Sequence, residues 1–171
     1  LKLDYFSPAQ GVSDAAEAYL FADGGDYENV GIIGMLQRQV REIIVFMNCD
    51  QPLHGKATWD PISSPPDSSQ INDDFPYFFG VHVNPATAAE KIEQEYSFDY
   101  TANQVFRSED FAPVAVALQE AQASGRIPIT RRELVTVDNE HWGIKSGFAC
   151  NLTVVFLGRA GTWRRKKNLM V

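Results

Sequence analysis

"YLFADGGDYENVGIIG", residues 19–34, runs from apolar residues into Asp23 and two glycines, then through a short acidic segment into an aliphatic pattern. Upstream of Asp23, residues 16–22 ("AEAYLFA") are aromatic and aliphatic up to a Gly-Gly stop, which predicts a strand. Downstream, residues 29–40 ("NVGIIGMLQRQV") place Val30, Ile33 and Gly34 on one face with Leu36 and Val40 beside it, which predicts a helix. Gly31 and Gly34 each lower helix propensity by roughly 1 kcal/mol, so close packing is expected there. "EIIVFMN", residues 42–48, is an unbroken apolar run of strand length, expected to be buried on both faces of a parallel sheet. Strand, helix and strand in this order predict a βαβ unit.

Further along, residues 51–74 are rich in Pro, Ser and Asp and read as a long surface loop of low expected order. Residues 75–83 ("FPYFFGVHV") suit a buried connection or a short strand. A helix with a thin apolar stripe is expected over 85–96, and a stronger one over 108–125. In the latter Ser108 is the expected cap, Glu109 and Asp110 sit at the positive end, Pro113 falls in the first turn and Gly125 is the stop. The last third predicts strands at 133–137 and 148–158, the second alternating Cys150, Leu152, Val154 and Phe156 with Asn151, Thr153 and Val155. The expected fold is α/β: a mostly parallel sheet flanked by helices on both sides, with an antiparallel carboxyl-terminal region, in a single domain over 1–171.

The chain has 171 residues, 44% of them hydrophobic and 22% charged, enough to bury a core in one domain. Its formal net charge of −7 would repel a phosphate backbone, so a nucleic-acid partner is not expected. The longest apolar runs are too short to span a bilayer, and no signal-peptide pattern opens the chain. It begins at Leu1 with residues resembling a domain interior, which leads us to expect a fragment or processed product. Two cysteines, Cys49 and Cys150, lie in or beside strands without metal-ligand spacing and read as small buried hydrophobes in a reducing compartment.

Why should a buried strand end in Asp-Gly-Gly? A carboxylate at the carboxyl end of a strand lies where open α/β sheets place their active sites, and two glycines let backbone pass close to another group. An Asx-turn or a cap for the following helix would use Asp23 equally well, and spacing alone leaves both open. The wider segment "LFADGGDYENVGIIGMLQRQVREIIVFMNC" resembles the second catalytic segment of the patatin-like and cytosolic phospholipase A superfamily. The resemblance rests on Asp23, Gly24, Gly25, Glu28, Asn29 and Gly31, then Arg38, Arg41 and Ile43 to Phe46, and covers residues 15–50. It implies a patatin-like half-domain of a lipid acyl hydrolase that uses a serine–aspartate dyad. Phospholipid or lysophospholipid would be the substrate, with no metal and no cofactor, in the cytoplasm or peripheral to an intracellular membrane. Asp23 would be the dyad base, with Gly24, Gly25 and Asn29 supporting the turn. The chain departs from the family in lacking Gly-x-Ser-x-Gly and a glycine-rich oxyanion loop; "GIKSG" at 143–147 has the wrong spacing. The serine is therefore expected on a missing amino-terminal half or another chain, and the alternative is a non-catalytic scaffold or accessory subunit.

Other polar features read as structural. His54, His82 and His141 are too dispersed for a zinc site, and Asp138, Glu140 and His141 suit a polar turn better than an acid–base cluster. Trp163 with Arg164, Arg165, Lys166 and Lys167 would suit peripheral contact with a lipid surface, although a solvated tail is the simpler expectation.

Overall fold

The computed structural model describes residues 2–5, 17–20, 28–88 and 100–158. Two short strands, β1 (Lys2–Tyr5) and β2 (Glu17–Leu20), pair antiparallel with Lys2 opposite Leu20. The chain then forms α1 (Ile32–Gln37), β3 (Glu42–Met47), α2 (Asp74–Tyr77), α3 (Phe111–Ala123), β4 (Ile129–Val135) and β5 (Ala149–Phe156). The second sheet has the order β3-β5-β4. In it β3 runs parallel to β5, from Glu42 opposite Asn151 to Met47 opposite Phe156, while β4 is antiparallel to β5. The fold is thus α/β with a small mixed sheet of one parallel and one antiparallel pair, where a mostly parallel sheet was expected.

The expected βαβ unit does not form, because β2 takes the strand nearest in sequence as an antiparallel partner and lies in a different sheet from β3. The other correction concerns the faces of the sheet. Along β3, Ile43, Val45 and Met47 are buried while Ile44 and Phe46 remain 64% and 59% exposed. Helices cover one side, and the predicted burial on both faces is absent. The same bare face carries Ile129, which is exposed, and Val155, which is buried between Phe46 and Ile129; Leu157, just past β5, is exposed.

On the covered side one core joins the sheet to α1 and α3. Ile43, Val45, Met47, Leu152, Val154 and Phe156 pack with Ile32, Ile33 and Leu36 of α1 and with Val114, Ala115 and Leu118 of α3. Beside them lies an aromatic cluster. Phe79 stands 5.4 Å from Phe75, 5.5 Å from Phe106 and 5.7 Å from Phe111 between ring centroids, and Trp59 lies 6.2 Å from Phe111. Residues 75–83 are therefore a buried connection, opened by the single turn of α2 and containing no strand. Fully burying a side chain of this size contributes on the order of 2–3 kcal/mol, so the cluster is a main source of stability.

Residues 51–73 contain no helix or regular strand, as their composition suggested, yet they are more than surface loop. Leu53, Trp59 and Ile71 are buried in the core. Gln119 Nε2 on α3 donates to the carbonyls of His54 at 2.8 Å and Trp59 at 3.0 Å, and Gln122 Nε2 donates to that of Leu53 at 2.8 Å. Helix α3 starts three residues later than expected, after a 3-10 turn over Ser108–Asp110. Ser108 does not cap it; its Oγ instead accepts from Gln104 Nε2 at 3.4 Å. Pro113 lies in the first turn and the helix ends before Gly125, both as expected. The helix expected over 85–96 falls mostly outside the described residues.

Candidate functional site

The segment after Asp-Gly-Gly enters the structure at Glu28, and local hydrogen bonds shape it. One oxygen of the Glu28 carboxylate accepts from the amides of Val30 and Gly31, both at 2.5 Å. Gly31 has φ +79, a conformation that L-residues rarely adopt, and its carbonyl accepts the first helical bond of α1 from the Met35 amide at 3.3 Å. A carboxylate facing two amides at a helix start also meets the positive end of the peptide dipoles. This explains why Glu28 and Gly31 occur together ahead of an aliphatic helix.

Asn29 reaches across the fold. Its Nδ2 donates to Asp74 Oδ2 at 2.9 Å, although 45 positions separate the two residues. Burial raises the pKa of Asp74 above the usual carboxylate range; the Asn29 amide opposes the shift and the Glu28 charge adds to it. Asp74 in turn acts on Cys49, two residues beyond β3. That thiol is pushed up to about 11, first by burial and then by the charges of Asp74, Asp50 and Asp73. Glu28, Asn29, Asp74 and Cys49 therefore gather near the carboxyl end of β3. The adjacent end of β5 joins there, since the Leu157 amide donates to the Met47 carbonyl at 2.9 Å. Ligands of open α/β sheets bind at this end of parallel strands.

Of the residues singled out in the sequence, Asn29 is placed at this end. Asp23, Gly24 and Gly25 lie outside the described residues, as do Trp163, Arg164, Arg165, Lys166 and Lys167. Asp74 was missed. In "INDDFP" it looks like any solvated acid after a polar loop, and only its pairing with Asn29 distinguishes it.

The remaining polar groups behave as structure. Among the described residues no cluster of His, Cys, Asp and Glu could hold a metal ion. Cys150 is buried and unbridged, its thiol pushed up to about 11 by burial and by Glu42. Ser146 and Asp138 form a serine–carboxylate pair at the other end of the sheet: Ser146 Oγ donates to Asp138 Oδ2 at 3.0 Å and its amide to Oδ1 at 3.0 Å. These two bonds hold Asp138 below its ordinary pKa, which makes it a poorer base, and the pair closes the turn where Asn139 bridges Ile144. A hollow of about 290 Å³ beside it is lined by Leu36, Gln37, Thr136, Lys145 and Phe148. This geometry is consistent with "GIKSG" being no nucleophile motif.

No protein-family profile matches the chain, and neither does any curated protein or solved structure. Among the described residues no helix is long and apolar enough to cross a membrane.

Proposed function

We propose that this chain is the aspartate-bearing part of a patatin-like, cytosolic phospholipase-type acyl hydrolase. In this reading Asp23 is the base towards a serine hydroxyl supplied by polypeptide outside this sequence, and the substrate is a phospholipid or lysophospholipid ester. The observation that carries the proposal is the anchoring of Glu28 and Asn29 near the carboxyl end of β3, through the Asn29–Asp74 bond. The five-residue step back from Glu28 to Asp23 spans at most about 18 Å, a reach compatible with Asp23 acting at that end of the sheet.

The uncovered face adds support. Parallel strands normally have both faces covered, and Ile44 and Phe46 stand in the open beside the parallel partner β5. A further layer from a serine-bearing segment would cover them. An unperturbed aspartate, with a pKa near 4, is a weak base for a hydroxyl. The proposed dyad therefore draws on a short hydrogen bond and on oxyanion donors supplied with the serine.

The test is reconstitution with a segment carrying Gly-x-Ser-x-Gly, followed by fatty-acid release from phosphatidylcholine and lysophosphatidylcholine vesicles. Asp23→Asn is expected to lower turnover by about 10³-fold or more while leaving the circular dichroism spectrum unchanged. Unchanged turnover in that variant refutes the assignment. A stable complex without ester cleavage in the wild type would point instead to a scaffold.

A further inference from the structure

Strand β3 lies at the edge of its sheet, and its backbone groups divide by parity. The carbonyls of Arg41 and Met47 accept from the amides of Asn151 in β5 and of Leu157 just past its end, at 2.7 Å and 2.9 Å. Odd-numbered residues of β3 therefore turn their backbone groups towards β5, and Glu42, Ile44 and Phe46 turn theirs outward. Among the described residues nothing bonds the amide or carbonyl of Ile44 or the amide of Phe46, while the Phe46 carbonyl takes only the Asn48 amide at 3.1 Å. No charged side chain interrupts Ile43 to Met47, and the strand is neither bulged nor broken by proline. Natural edge strands usually carry one of these protections.

We propose that β3 pairs with β3 of a second copy of this chain, antiparallel about a two-fold axis through Val45. Only registers that set even-numbered residues against even-numbered residues match the outward-turned groups, and this one does so with the Phe46 carbonyl accepting a second bond beside that of the Asn48 amide. Centring on Val45 sets Ile44 opposite the partner's Phe46 as a hydrogen-bonded pair, the arrangement in which two residues exchange both backbone bonds. Val45 then faces its own copy, and Ile43 faces the partner's Met47, so buried side chains continue on the covered face and exposed ones on the bare face. A shift by one residue in either direction sets an outward-turned residue against one turned towards β5, and the ladder fails.

Charge selects the same partner. Each strand begins beside Arg41 and ends beside Asp50, and both side chains are exposed. Antiparallel pairing sets Arg41 of one copy opposite Cys49 of the other, one residue from the Asp50 charge, at both ends of the ladder. Glu42, which would otherwise add a like charge there, is already engaged by Arg131 Nη2 at 3.0 Å and 2.9 Å. The contact is self-complementary, as a two-fold interface requires, and it closes so that no filament grows from this edge. None of this depends on the role assigned to Asp23.

Sedimentation equilibrium of the 171-residue chain is expected to show a monomer–dimer equilibrium. Ile44→Lys adds a charge where the side chain is already in water, and Arg41→Glu reverses the terminal attraction. Each is expected to raise the dimer dissociation constant about tenfold or more with an unchanged circular dichroism spectrum. Val45→Cys supplies an independent reading. On the two-fold axis the two residues would form a non-hydrogen-bonded pair with Cα atoms about 4.5 Å apart, within the span of a disulfide, and mild oxidation should give a disulfide-linked dimer that the wild type, with Cys49 and Cys150 only, does not form. A strictly monomeric wild type overturns the proposal. So does a dimer that survives both charge variants and shows no cross-link in the Val45→Cys variant.

Discussion

Gly31→Ala probes the geometry of the candidate site most directly, because there the backbone and the side chain can be separated. The residue sits at φ +79, and a Cβ built on it meets no atom within 4 Å, so an alanine would have room and the wrong backbone. Left-handed strain costs about 1–2 kcal/mol for an L-residue. Against that, replacing glycine restricts the unfolded chain and returns about 0.4–1 kcal/mol. The expected net loss is about 1 kcal/mol, a fall in Tm of about 2–4 °C for a domain of this size. Two further glycines calibrate the measurement. At Gly55 a Cβ also meets nothing and the backbone is unstrained, so Gly55→Ala should be neutral or slightly stabilising. At Gly80, φ is +62 and a Cβ would overlap the Gln104 carboxamide, which donates to the Phe106 carbonyl at 3.1 Å. Gly80→Ala should therefore cost the most of the three. Urea denaturation at constant m-value measures the series. If Gly31→Ala proves as stable as Gly55→Ala, the left-handed turn held by Glu28 is not the native geometry.

Two other outcomes follow from the hydrogen bonds around the core. Asp74→Asn keeps an oxygen for the Asn29 amide and removes a charge that burial disfavours. Because the folded carboxyl has a raised pKa, the wild type binds more protons folded than unfolded in the window just above 3.8, and its stability falls as pH rises through that window. The variant should be the more stable protein at neutral pH, and its advantage in chemical denaturation should vanish as acid protonates Asp74; a pH-independent difference contradicts the assignment. Gln119→Ala leaves the His54 and Trp59 carbonyls without their donor, at a cost of about 2–3 kcal/mol, and faster proteolysis within residues 53–59 should accompany it. Unaltered cleavage there would show that α3 does not hold the loop.

Elements whose own pattern sets their state were legible in the sequence. The alternation from Cys150 to Phe156 and the Pro113-to-Gly125 frame located β5 and the body and stop of α3, because face and stop are written locally, whereas its start lies three residues past the expected Ser108 cap. Pairing is not written locally. The apolar run around Tyr19 predicts a strand in either sheet, and only the fold joins β2 to β1. "EIIVFM" reads as buried on both faces because every residue after Glu42 is apolar, yet exposure of Ile44 and Phe46 depends on what packs over them. In residues 51–73, prolines and serines outnumber the anchors, so composition hides the burial of Leu53, Trp59 and Ile71. At the site, Asn29 stood out from its neighbours in the chain, whereas Asp74 acquires meaning only through a contact made across the tertiary structure.

The two glutamines of α3 also decide where this protein could accept foreign polypeptide. Between Leu53 and Trp59 the main chain is stitched to the helix, so an insertion there would pull carbonyls off their donors and unseat a tryptophan. A few residues on, Ile62, Ser63, Ser64 and Pro65 lie exposed at the tip of the same stretch. A tag or reporter loop grafted at that tip would disturb the Trp59 indole bond to the Ser64 carbonyl but none of the bonds to α3, so it should cost less stability than one grafted near Gly55.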